Sequence, residues 1–295
     1  MNHRTGEYPS PEKVMSRVLE RLAADYPQLY LNPDTDTQEA YRRVILRGEE
    51  PEMKSLSHYR GDPADREEIA DTPAGQVRVV TLGNRRDFEL VLRGLMAAKD
   101  GPLVPIPENQ GAAMLTVFNW PRIHAHLAKF PEEDRTAEFK RFTAARENYI
   151  DTLVVLSRGP YSHVDAAAVG KTDAEWLDHS DTIRRFHELT HVICRRRYPG
   201  DVAPIRDELV ADAVGLYAAY GRFGPETEKL FLGIQDGRYV GGRLGNYTDT
   251  PEALTGAVCT ALERIRATME NQAGTEPFRL IPMLMQAAEI GETRA

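Results

Sequence analysis

The segment RRFHELTHVICRRRYPGDVAPIRDELVAD, residues 184–212, decides how this chain is read. It holds His187-Glu188-Leu189-Thr190-His191, two histidines four residues apart. On a helix that spacing projects both imidazoles to one side. Ile183, Phe186, Leu189, Val192 and Ile193 add an apolar stripe that seats the helix on a core and keeps its polar groups rigid. Pro199-Gly200 stops it, so a helix over 180–198 is expected, with Ser180 or Asp181 as N-cap. A second helix is expected over 204–220, with Pro204 in its first turn and Gly221 just past its end. The break lets the chain reverse and carries Glu208 and, one turn on, Asp212 back to the histidines.

Two imidazoles alone make a weak metal site. A carboxylate from the returning helix gives three ligands and leaves a fourth position open, the arrangement of catalytic zinc. Glu208 is the expected third ligand to one zinc ion per chain, with Asp207 as runner-up. Asp212 is expected to accept the far ring N–H of a ligand histidine and fix its tautomer. Glu188, next to the first histidine, is expected to act as general base for a metal-activated water. A donor for the oxyanion is also needed. Tyr239, Arg243 and Tyr247 in the glycine-rich stretch 233–250 are candidates, as is His163 beyond the strand at 151–158. The glycine-rich stretch reads as a mobile lid. Cys194 reads as a buried thiol behind the site, and Tyr217 and Tyr220 as packing groups.

Working outward, helical periodicity marks 12–26, 37–48, 85–99, 251–269 and 277–290, with a polar helix over 132–148. Residues 1–11 read as a lead-in, and 49–75 either as a long polar surface excursion or as a poorly ordered stretch. QVRVVTL (76–82), AAMLTVF (112–118) and DTLVVLSR (151–158) read as strands, with the prolines of 102–108 holding an extended connection. The strand at 151–158 either forms an edge that an extended substrate can pair with or is a plain core strand. An α+β fold follows, with a mixed sheet packed on the metal-binding helix and a largely helical C-terminal part. Residues 1–74 are expected as a helical extension and 75–295 as the catalytic domain.

The chain has 295 residues, 41% apolar and 28% charged, with a formal net charge of −8. The acidic balance argues against nucleic acid as the main partner. Arg195-Arg196-Arg197 is the basic exception, and it suits the C-terminal end of a helix dipole. Two cysteines make no disulfide framework, the opening MNHRTGEYPSPEK has no apolar signal core, and no apolar run is long enough for a membrane. A cytoplasmic protein with no membrane partner is expected, with a peptide or protein as substrate.

The motif, the downstream Glu208 and Asp212 four residues later resemble the gluzincin branch of zinc metallopeptidases over about residues 150–222. The segment around Gly111-Ala112 and Asn119-Trp120 is also similar to an uncharacterised bacterial group assigned as zinc hydrolases. The gluzincin resemblance implies a zincin-like catalytic unit and peptide hydrolysis, with His187, His191 and Glu208 on the metal, Glu188 as base and Asp212 behind. Two features depart from the pattern. Asp207 stands where the family has asparagine, and the gap of 17 residues from His191 to Glu208 is short. Cys194 and Arg197 occupy the glycine and histidine positions of the metzincin motif, which argues against that branch. Hydrolysis of a non-peptide amide, or a catalytically silent protein of the same fold, are the rival functions.

Overall fold

A computed structural model describes residues 16–51, 53–96, 105–108, 110–200 and 203–290. The expected lead-in over 1–11, the first residues of the 102–108 connection and Asp201 lie outside the described residues. Along the chain run α1 (Arg17–Asp25), α2 (Gln38–Tyr41), β1 (Arg66–Thr72), β2 (Gly75–Leu82), α3 (Arg85–Met96) and β3 (Ala112–Phe118). Then come α4 (Trp120–Leu127), α5 (Arg135–Phe142), β4 (Ile150–Ser157), α6 (Asp173–Arg197), α7 (Pro204–Tyr220) and α8 (Pro225–Leu232). The short β5 (Ile234–Gln235) and β6 (Arg238–Tyr239), α9 (Pro251–Met269) and α10 (Ile281–Ala287) complete the α+β fold.

These elements fall into two compact units, which do not part at residue 74. Pro73-Ala74 is instead the two-residue turn that joins β1 to β2, so both sides of the expected boundary sit in one sheet. The first unit carries α1 to α5. There α1 buries Val18, Leu19, Leu22 and Ala23, and α3 buries Phe88, Leu90, Val91 and Leu92. Asp87, fully buried, accepts the backbone N–H groups of Arg60 at 2.9 Å and Gly61 at 2.7 Å. That bonding gives the polar stretch before β1 the order its composition does not suggest. The single helix expected over 132–148 is a correction. It breaks into 3₁₀ turns at Glu132–Asp134 and Arg146–Asn148 around α5, which buries no apolar side chain.

The second unit holds α6 to α10 and most of a mixed sheet with strand order β1-β2-β4-β3. Strand β1 corrects the reading of 49–75 as a surface excursion or a poorly ordered stretch. Its sequence REEIADT hides it, because Ile69 is exposed and Ala70 alone is buried. β4 runs antiparallel to β3, since Ser157 N–H donates to the Gly111 carbonyl and Asn119 N–H to the Tyr149 carbonyl, each at 2.8 Å. With β2 on its other side, β4 is a central strand and the edges are β1 and β3. Val77 and Val79 of β2 and Val154 and Leu156 of β4, alternate residues of each strand, join one core with Ile183, Leu189, Val192 and Ile193 of α6. The sheet thus packs on the helix that carries the histidines.

That helix begins seven residues before the expected start. Thr172 caps it in a reciprocal capping box with Glu175, whose carboxylate accepts the Thr172 N–H at 2.9 Å. The first two turns lack a periodic apolar face, and Trp176 holds them by stacking on Phe231 and donating its indole N–H to the Val164 carbonyl at 2.6 Å. At the far end Arg196 donates to the carbonyls of Ala74 and Gln76, and Arg197 to that of Pro73. The basic run therefore fastens the helix to the β1–β2 turn. The final arginines also complement the dipole.

α7 is buried along an unbroken run from Leu209 to Tyr217, as befits a central helix. It approaches α6 at Gly215, where an added Cβ would lie 2.7 Å from the Ile183 carbonyl oxygen. The expected mobile lid is likewise a correction. Residues 233–246 fold into a β5–β6 hairpin and a 3₁₀ turn (Arg243–Asn246) that fully buries Leu244. Its glycines serve close packing: a Cβ on Gly233, at φ +77°, would sit 2.2 Å from the Gly241 carbonyl oxygen. Gly215→Ala should lower stability by roughly 1–3 kcal/mol in urea unfolding, because the backbone clash outweighs alanine's better helix propensity. A neutral or stabilised variant would show that the two helices can separate without cost.

Candidate metal centre

His187 and His191 leave the buried side of α6 and meet Glu208 from α7. Donor atoms of these three residues all lie within 4.8 Å of one another. His187 Nε2 is 3.5 Å from one Glu208 oxygen, His191 Nε2 is 3.5 Å from the other, and the two Nε2 atoms are 2.9 Å apart. Tetrahedral ligands about 2.1 Å from a zinc ion stand roughly 3.4 Å from each other, so the two carboxylate spacings suit such an ion and the imidazoles need to spread slightly.

Each imidazole has its own carboxylate behind it. Asp212, fully buried, lies 2.8 Å from His187 Nδ1, and Asp207 lies 2.7 Å from His191 Nδ1. With both Nδ1 atoms turned to carboxylates, both Nε2 atoms face the same point, where a proton or a metal cation can sit between them. Burial opposes a proton on His191, but the Asp207 bond and the Glu208, Glu188 and Asp207 charges win and hold its pKa up at about 9. Burial likewise opposes the charge on Asp212, yet Arg243 and the His187 and Tyr161 bonds pull its pKa down to about 2. The orienting role expected for Asp212 has its geometry, and Asp207, the runner-up ligand, takes the parallel place behind His191.

The four candidates for an oxyanion donor separate. Arg243 is committed inward: its guanidinium pairs with Asp212, donates to Tyr161 Oη at 2.9 Å and Ser162 Oγ at 3.1 Å, and lies 3.8 Å from Glu208. Tyr239 both donates to and accepts from the Gly242 backbone, closing its own hairpin. His163 is exposed and bonds the Glu108 carbonyl at 3.0 Å. Tyr247 stays a neutral phenol, its pKa raised by burial and by the nearby Glu208 and Asp212 charges against the pull of Arg243. Glu188 is partly exposed and adds to the field on His191. Cys194 is buried, and burial and Asp207 push its thiol up to about 12, which suits the expected inert group behind the site.

Two residues here escaped the sequence reading. Tyr161, placed just past the Gly159-Pro160 stop of β4, brings its hydroxyl 2.9 Å from His187 Nδ1 and 2.6 Å from Asp212. Glu228, on α8, is fully buried and neither carboxylate oxygen has a hydrogen-bond partner. The sequence PETEKLFL gives Glu228 no mark to distinguish it from exposed Glu226.

The profile of a family described as a family of unknown function (DUF7005) matches residues 12–276, and the chain belongs to that family. No curated protein and no solved structure matches it. Among the described residues, no helix is long and apolar enough to cross a membrane.

Glu228 gives the site a pH signature. Burial, then the Asp212 charge, raises its pKa well above the usual carboxylate range, so the folded protein keeps a proton that the unfolded chain releases. The stability tied to that proton is complete below the unfolded value of about 4.5 and is lost as pH rises toward the raised one. Glu228→Gln, which keeps the neutral shape, should therefore melt progressively higher than the wild type between pH 5 and pH 8. A pH-independent gap in thermal melts would mean that Glu228 is ionised in the fold.

Proposed function

We propose that the protein is a zinc-dependent hydrolase of amide bonds, with peptides as substrates, built on a zincin-like unit of the gluzincin kind. The observation that carries the reading is the convergence of His187, His191 and Glu208 from two antiparallel-running helices onto one point, each imidazole backed by a separate carboxylate. Charge supports it. Asp207, Glu208 and Asp212 gather around the two imidazoles, with Arg243 paired to Asp212 and close to Glu208, an acidic surround that suits a divalent cation. The donor set, two imidazoles and one carboxylate, is the set that leaves zinc an open coordination position. A purely structural site fills that position with a fourth protein ligand.

When bound, zinc supplies Lewis acidity to a carbonyl and lowers the pKa of a coordinated water toward 7. The chain's own residues do the rest. Glu188, beside the ligand pair and open to solvent, takes a proton on its carboxylate as water attacks and returns it to the leaving nitrogen. His187 and His191 donate from Nδ1 to Asp212 and Asp207, so Nε2 of each stays available. Tyr247, neutral and next to Glu208, is the candidate to donate its phenolic proton to the developing oxyanion. Arg243, Tyr239 and His163 are spent on other partners.

One zinc per chain is expected in the purified protein by elemental analysis, and His187→Ala and Glu208→Ala should each lose it. Glu188→Gln should retain zinc and lose peptide hydrolysis by at least about 10²-fold in a peptide-library assay. A protein that takes up no zinc when it is supplied sinks the reading. Zinc without hydrolysis of any peptide leaves the non-peptide amide or the silent binding protein.

A further inference from the structure

We propose that Tyr161 is a positioning residue of the metal centre, whose hydroxyl donates its hydrogen bond to Asp212 rather than to His187, so that His187 is held with Nδ1 protonated and Nε2 free for the metal. The proposal rests on the metal-binding reading above.

Proton placement among three atoms makes the case. Tyr161 Oη, Asp212 Oδ1 and His187 Nδ1 form a triangle with sides of 2.6, 2.8 and 2.9 Å. Arg243 Nη1 donates to the phenol oxygen from outside, at 2.9 Å. Tyr161 has one proton, and Asp212 holds the Arg243 guanidinium on its other oxygen, so it stands in the triangle as an acceptor. Were Nδ1 bare, it would face a carboxylate oxygen at 2.8 Å, lone pair against lone pair. Nδ1 therefore carries a proton, and the phenol cannot donate to it. The phenol donates to Asp212, which then accepts from Tyr161 and His187 on one oxygen and from Arg243 on the other. Nε2 of His187 is the nitrogen left for a ligand.

The ring is also fastened as a positioning group must be. The Tyr161 N–H donates to Ser180 Oγ at 2.9 Å, and Arg184 gathers the carbonyls of Ser157, Gly159 and Pro160 just before it. Phe231 meets the ring edge-on at 5.0 Å between centroids. Ser162 and His163 hold left-handed backbone, φ 52° and 56°, which non-glycine residues adopt only where the surroundings impose it. That conformation turns the chain directly after Tyr161, and Ser162 Oγ there accepts from Arg243.

The test is zinc affinity, by competition with a chelator, of wild type, Tyr161→Phe, Asp212→Asn and the double variant. Tyr161→Phe removes one hydroxyl and no charge, and should weaken zinc binding about 10- to 100-fold, the usual loss for an outer partner of a ligand histidine. Because both residues act through His187, the double variant should lose little more than the worse single one. A Tyr161→Phe affinity within twofold of wild type overturns the proposal, as do losses that multiply, which would mean that Tyr161 only supports the fold. Imidazole ¹⁵N shifts of the metal-free wild type give a readout that needs no metal and no variant. They should show His187 protonated at Nδ1, and a bare Nδ1 overturns the proposal. Failure of the wild type to bind zinc while His187 shows the Nδ1 proton would instead sink the metal reading alone.

Discussion

A carboxylate with no access to solvent, that of Asp212, governs the architecture around it. An isolated buried charge of this kind costs several kcal/mol, so the fold has to surround it with donors. They come from three separate stretches of chain: His187 from α6, Tyr161 from the turn after β4, and Arg243 from the 3₁₀ turn beyond β6. One residue on the central helix thus gathers the helix pair, the end of the sheet and the C-terminal hairpin. The same need explains why a segment rich in glycine is packed rather than loose. Arg243 has to arrive at a fixed point, and the Gly233–Gly242 backbone contact lets the hairpin fold tightly enough to deliver it.

The electrostatics divides into two layers with different tasks. Asp207 and Asp212 hold the rings, and Glu208 faces the point on which both rings converge. Arg243 compensates the inner layer, while His191, at about 9, takes a proton where no metal competes for it. A cation at this point would have to displace that proton, which is the usual condition for coupling between pH and metal affinity. Glu228 stands apart from this exchange. It is a carboxyl kept neutral by burial, near enough to the cluster to feel Asp212 and Glu208 without bonding to either.

What the sequence made legible follows from how local each signal is. His187, Glu188, His191, Glu208 and Asp212 lie on two helices whose ends are punctuated by Pro199-Gly200, Pro204 and Gly221, and helical spacing alone predicts which of them face one another. Tyr161 and Arg243 reach the cluster only through the path of the chain between elements, and no periodicity encodes that path. The start of α6 leaves no periodic mark, because Thr172 and Glu175 cap a stretch without an apolar stripe. β1 leaves none either, because an edge strand with one buried residue has the sequence of a charged loop. The commitment of Tyr239 to Gly242 and of His163 to Glu108 depends on backbone carbonyls, which a sequence does not display.

The contact of Gly215 with Ile183 also settles a rotational question. α7 carries acids at 207, 208 and 212, and one residue of slip turns a helix by about 100°. Such a slip would bring Asp207 round toward the place of Glu208 with a side chain one methylene shorter, and would turn Asp212 away from His187. A missing side chain at one position acts as an index notch: only in the observed phase does the hydrogen of Gly215, and no bulkier group, face the α6 backbone. Which of the neighbouring acids faces the two imidazoles is thereby decided two turns away from the acids themselves, by steric phase.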